Sequence, residues 1–430
     1  VPQLARLRGL LLTFVLALTV SAFAALFARV FRESIMFTLD HVGGNKSSIV
    51  VAAHHHRLVV FALVTTGLLV AAWIGRVAVR RHHERLGLAA VADAARGAGI
   101  GPSIRGTLTR AAGTWTAMAS LGSLGREAAI LETGGSFGAW LGRTMHRPPA
   151  DLAVTGIAAS FAAAYHAPIG AFLYVREHVV RQPARRTAGC ALAGGLLGFV
   201  ISRQFLGGTS IFARGTNPLH FGSFVQAAVG LVPALIATRV FFLLRERVTT
   251  PRHLTMSTTY VWMRSITFAL IGGATVAFIP LTSGNGMEAI RRGADLKTAT
   301  IGLALALCLG KLLATTAALG SGAPGGVFSP SMAVASGAAL LCFEGLAKAG
   351  VTLPGSHWDG MLAAMSVGIA VGTRTPLVGI IVVAELAGDA RLLPVCALSV
   401  GGAWLIEKVV QRVRDRSGSA TDGLAIALDG

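Results

Sequence analysis

Two stretches of this 430-residue chain hold residues whose types and spacing could bind an anion. Residues 122–142 read GSLGREAAILETGGSFGAWLG, and residues 320–341 read GSGAPGGVFSPSMAVASGAALL. Each opens on glycines, which let backbone approach a ligand closely, and each continues as a small-residue apolar helix. Pro330 directly after Ser329 marks the first turn of the second helix. A helix start carries unpaired N–H groups and a partial positive charge, so in low-dielectric surroundings it attracts an anion. Before Arg126 no Ser, Thr, Asp or Asn stands ready to take up those donors. Glu127 lies beside them and is itself an anion. It can occupy the seat of a permeating ion, and protonation would loosen its hold, so the residue reads as a proton-sensitive gate. An ionisable residue inside a membrane costs about 2.5–3.5 kcal/mol at a helix centre, which marks it as functional. A structural pair with Arg126 is the alternative.

Other chemistry-bearing residues argue less. His54, His55 and His56 are adjacent and point in different directions on a helix, so they chelate poorly. An intramembrane metalloenzyme using them with His82 and His83 is the competing reading of another class; the anion reading expects no metal and no cofactor. Cys190, Cys308, Cys342 and Cys396 stand singly in apolar surroundings and suggest neither a disulfide framework nor a zinc site.

The elements that must position these residues are membrane helices. Hydrophobic residues make up 53% of the chain and charged residues 13%, against roughly 25% charged in a soluble domain. Mean hydropathy is +0.66. The net charge of +19 comes from Arg clusters scattered between apolar runs, which suits loops facing anionic lipid better than nucleic acid. Apolar runs fall at residues 9–28, 58–74, 153–175, 187–201, 224–244, 265–280, 300–319, 331–347, 361–385 and 392–406, with a polar segment predicted at 29–57. Basic loops at Arg76, Arg80 and Arg81, at Arg181 and Arg185, and at Arg245 and Arg247 place those ends, and both termini, in the cytoplasm. Several runs are short or broken by Gly and Pro, which is tolerated where freed backbone lines a cavity.

The halves echo each other. His166-Ala167-Pro168 leads to Glu177 and Arg374-Thr375-Pro376 to Glu385, each glutamate nine residues after its proline. Each segment follows one of the glycine-bounded helix starts. The pattern predicts a single transmembrane domain over 1–430, with repeats at about 58–201 and 224–406 and a site between them.

These residues, with GAGIG from Gly97, resemble the CLC family of chloride channels and chloride/proton antiporters over about residues 97–385. The resemblance implies an all-α polytopic fold, an inverted repeat of tilted and broken helices, in the compact form of a bacterial inner-membrane protein. It implies a homodimer in the bilayer that moves chloride or another halide, with protons as a further partner. By the family pattern the backbone N–H groups of Arg126, Glu127 and Ala128, and of Val327, Phe328 and Ser329, face the anion. The family's Gly-Ser-Gly-Ile-Pro segment is best matched at Gly97–Gly101, which puts Ala98 and Gly99 at the anion and Ala98 where the family has serine. Its Gly-Pro after the glutamate is Ala128-Ala129 here, and no tyrosine follows Tyr260 to supply the family's second hydroxyl. With both side-chain donors missing, the site is expected to be more apolar, and a fluoride/proton exchanger is the alternative to a chloride pathway. The family's inner relay glutamate aligns with His178, and Glu177 precedes it. A histidine titrates near neutral pH, so this pair is the candidate proton relay.

Overall fold

The computed structural model describes the chain apart from residues 1, 83–85, 182, 206, 208–210, 213–217, 250–256, 294–299 and 429–430; for residues 2–8, 10, 82 and 414–428 it describes helical backbone alone. Regular structure among the described residues is helical. The first half runs α1 (Pro2–Gly43), α2 (Ser48–His54), α3 (Arg57–His82), α4 (Leu88–Ala95), α5 (Ile104–Ala119), α6 (Glu127–Thr144), α7 (Pro149–Tyr165), α8 (Pro168–Tyr174) and α9 (Arg185–Val200). The second runs α10 (Phe221–Thr249), α11 (Thr258–Phe278), α12 (Met287–Gly293), α13 (Ile301–Leu305), α14 (Lys311–Gly320), α15 (Phe328–Lys348), α16 (His357–Thr373), α17 (Pro376–Ala387) and α18 (Leu393–Leu428). Eight of the described helical segments are long and apolar enough to cross a membrane.

The first apolar run does not stop at Ala28. α1 continues to Gly43 because its charges satisfy one another along the helix: Arg29 and Arg32 both pair with Glu33, at 3.4 and 2.8 Å. Gly44, at φ +73°, ends it.

The runs at 153–175 and 361–385 are each two helices. α7 ends where His166 adopts φ +54°, and α16 where Arg374 adopts φ +57°. A proline follows two residues later in both, and the residue before proline is driven away from helical dihedrals. Neither Ala167 nor Thr375 caps the helix it precedes. The caps come from across the molecule. Glu385 accepts from the Ile169 and Gly170 amides at 3.0 and 2.8 Å, on the start of α8. Glu177 accepts from the Val378 amide at 3.2 Å, on the start of α17. The spacing of nine residues from proline therefore carries each carboxylate to the other half's helix end.

Close packing fixes the remaining geometry. A Cβ on Gly156 of α7 would lie 2.0 Å from the Gly134 carbonyl oxygen of α6, so the two helices touch backbone to backbone. The largest hydrophobic cluster joins Phe161, Tyr165 and Tyr174 of the first half to Phe328, Met332 and Val382 of the second.

Glu385→Ala leaves the two first-turn amides of α8 without their carboxylate, one of them part-buried, and is expected to cost about 1–3 kcal/mol. Glu407→Ala removes an ion pair with the half-exposed Arg239 and should cost less than about 1 kcal/mol. Thermal loss of monodispersity in detergent, compared between the two variants, checks the difference.

Candidate functional site

The two glycine-bounded helix starts meet. Gly125 and Gly326 exchange backbone hydrogen bonds, 2.9 Å from Gly125 N to Gly326 O and 2.7 Å in return, as an isolated antiparallel bridge. This clamp sets the first turn of α6 against the first turn of α15. The capping positions, Arg126 and Val327, make no side-chain cap on either helix.

Glu127 fills the gap. Its carboxylate reaches across the halves, and Oε1 accepts from the Ser329 amide at 2.6 Å. The residue is 4% exposed, and its Oε2 is buried with no hydrogen-bond partner. The glycines make the room: a Cβ on Gly125 would lie 2.1 Å from Oε2, and one on Gly326 would lie 3.0 Å from it and 3.2 Å from the Ala128 nitrogen. A carboxylate on a helix start in apolar surroundings is an anion in an anion seat. Its neighbours show what else could sit there.

Phe328, 7% exposed, is held by three aromatic rings of the first half. Phe161 and Tyr174 meet it edge-on at 5.5 and 6.4 Å, and Tyr165 leans on it at 5.1 Å. The Tyr165 hydroxyl shares a hydrogen bond of 3.2 Å with Ser329 Oγ. The site thus has two side-chain hydroxyls after all, which corrects the expectation of an apolar centre. That expectation looked for a tyrosine in the C-terminal part of the chain; the structure supplies one from the end of α7. The only signal was Tyr165 standing one residue before the His-Ala-Pro turn that ends that helix. Lys311 also escaped notice. It is fully buried and donates from Nζ to the carbonyls of Thr282 and Gly284, at 2.9 and 2.6 Å. A lone lysine in an apolar run was its signal.

Ala98 and Gly99 lie elsewhere. They are exposed, in the turn after α4, and a Cβ on Gly99 would meet nothing within 4 Å. Gly97 at φ +74° ends α4, with its amide on Ala94 O at 3.0 Å and the Ala98 amide on Asp93 O at 2.8 Å. This double bond pattern is a helix C-terminal cap, which demands glycine for the same reason a ligand turn does. The assignment of Ala98 and Gly99 to the anion is corrected accordingly.

Glu177 and His178 sit together on a π-helical turn that continues α8. Glu177 is committed to capping α17. His178 donates from Nδ1 to the Thr373 carbonyl at 3.1 Å, and its ring lies 5.0 Å from that of Tyr174. The rings of Phe328, Tyr174 and His178 form a continuous line.

His54 and His55 turn back on their own helix, with Nδ1 on Val50 O and Val51 O. Among the described residues no group of three or more His, Cys, Asp or Glu could hold a metal. The side chain of His82, and His83, fall outside them. Among the described residues the metalloenzyme reading has no site.

A protein-family model described as voltage gated chloride channel matches residues 66–408. An H(+)/Cl(-) exchange transporter, ClcA, of Cronobacter sakazakii is 26% identical over 306 residues, covering 67% of this chain and 64% of that protein. A voltage-gated ClC-type chloride channel, ClcB, of Salmonella typhimurium is 28% identical over 246 residues, covering 56% and 57%. The chain thus matches less than two thirds of the length of these relatives. Two solved structures share the fold. A slow cyanobacterial Cl-/H+ antiporter has a TM-score of 0.75 at 16% identity, covering 93% of this chain and 94% of that one. A CLC-type fluoride/proton antiporter has a TM-score of 0.74 at 19% identity, covering 92% and 95%.

Gly125→Ala is expected to push the Glu127 carboxylate off the Ser329 amide, because the carboxylate is the mobile partner of that clash. Gly99→Ala should leave it seated. Structures of the two variants check both outcomes.

Proposed function

Because the chain belongs to the voltage gated chloride channel family, we propose that it carries small inorganic anions, chloride first among them, across a membrane along a path gated by Glu127. The observation that carries this reading is the Glu127 carboxylate on the Ser329 amide, between two helix starts that lack caps of their own. A permeating halide replaces the carboxylate and takes its donor, the Ser329 amide, with the first-turn amides of both helices and the hydroxyls of Tyr165 and Ser329 as further donors. Glu127 moves aside when protonated, since the neutral acid is held less strongly by the helix ends. Flux is therefore highest at acid pH and falls as the carboxylate ionises and returns to its seat.

Arg126, Ala128, Val327 and Phe328 complete the seat through their backbone, and the Phe328 ring narrows the path beside it. The two repeats, 58–201 and 224–406, meet at this point. Of the two relay candidates, Glu177 is a structural cap and His178 is the group placed to take up a proton, next to Tyr174 and the aromatic line towards Phe328. A homodimer in a bacterial inner membrane, with both termini cytoplasmic, fits the Arg-rich loops. Intact hydroxyls at the seat favour chloride over the fluoride-exchange alternative.

Glu127→Gln is expected to abolish the pH dependence of anion flux from proteoliposomes while the fold survives. A variant whose flux still rises on acidification would remove Glu127 from the gate. Tyr165→Phe keeps the ring and deletes a donor, so chloride affinity should fall by about tenfold, the worth of one hydrogen bond to a charge. Ala98→Ser, on the distant turn, should leave the halide series unchanged. Calorimetric halide titration of the purified protein compares the three.

A further inference from the structure

His166 is 9% exposed, yet its Nδ1 is buried with no hydrogen-bond partner. Its left-handed backbone, φ +54°, ends α7, and the residue lines a small cavity. The cavity, of about 20 Å³, is lined also by Arg126, Arg32, Arg29 and Ser202. Such a volume holds one water-sized or halide-sized body and excludes a tetrahedral oxyanion. Arg32, Arg126 and His166 also line a wider vestibule of about 500 Å³ that takes in Lys46, Arg291 and Glu288. The small cavity is thus a side chamber of that vestibule.

The charges around the cavity are one-sided. Glu33 partly neutralises Arg29 and Arg32 but does not line it. In the vestibule Glu288 is occupied by Ser47 at 2.6 Å and Arg292 at 2.9 Å. The Arg126 guanidinium makes no hydrogen bond or ion pair with the described residues, and Glu127 beside it is turned to Ser329. The side chains of His166, whose Nδ1 is buried without a partner, and of Arg126, a guanidinium without a counter-ion, both line one ion-sized space. A neutral guest would satisfy the first and leave the second bare; an anion satisfies both.

We propose that Arg126, Arg32 and His166 form a second anion seat, beside the Glu127 gate and on its vestibule side, sized for a single halide. This rests on the anion-transport reading of the gate. An ion held there is one residue along the chain from the carboxylate it must replace, so the seat loads the gate before Glu127 yields.

Crystals of the full chain grown in bromide test it by anomalous scattering. Bromide between the Arg126 guanidinium and His166 Nδ1 supports the seat. Bromide at Ser329 but none at His166 overturns the seat and leaves the gate intact; bromide at neither overturns both. In proteoliposomes, His166→Leu and Arg32→Gln should each raise the half-saturating bromide concentration by about tenfold, the loss of one charge-assisted contact. Half-saturation equal to that of the unaltered protein in both variants overturns the seat.

Discussion

One contact governs this molecule: the amide of Ser329 at the start of α15, met by the carboxylate of Glu127 from the start of α6. A helix end buried without a partner is costly, and neither helix brings a cap from its own chain neighbourhood. The cross-half carboxylate meets that need for α15 and keeps one of its own oxygens unpaired. The arrangement is stable as it stands and open to exchange, because any anion of similar size offers the same amides the same charge. The glycine bridge at 125 and 326, and the ring cage around Phe328, hold the two ends at the separation where that exchange is possible.

The other buried acids are spent on structure. Glu132, 1% exposed, accepts from the Gly87 amide at 2.8 Å and from Arg110 at 3.1 Å. Asp359 accepts from the Ser223 hydroxyl at 2.6 Å. The half-buried Glu177 and Glu385 cap the starts of α17 and α8. Against these fully engaged groups, Glu127 is the buried carboxylate, among the described residues, that retains an oxygen with no partner. That imbalance sets Glu127, the proposed gate, apart from the acids that hold the fold.

Much of this was legible in the residues, and the exceptions share a cause. The apolar runs, their breaks at 166 and 374 and the encounter of Glu127 with the Ser329 turn all follow from local patterns: proline spacing, glycine placement and missing caps. What stayed hidden depended on which end of a helix a motif served, or on what lay across the interior. GAGIG reads equally well as a ligand turn and as a C-terminal cap, because both need a residue at positive φ; only the position of α4 decides. Tyr165 drew no notice because its partner, Ser329, lies 164 residues away. The stretch after Ala28 read only as a polar segment, since the pairing of Arg29 and Arg32 with Glu33 that accompanies its helix is a matter of geometry along the helix.

The exchange of caps between α8 and α17 also bears on biogenesis. The carboxylate that closes α8 is made 216 residues after the amide it serves. While the ribosome is still working through the second half, the N-terminal portion therefore sits in the translocon's neighbourhood with a raw peptide end, able to bind water or lipid headgroups but not to settle. The start of α8 is closed only once Glu385 has been made.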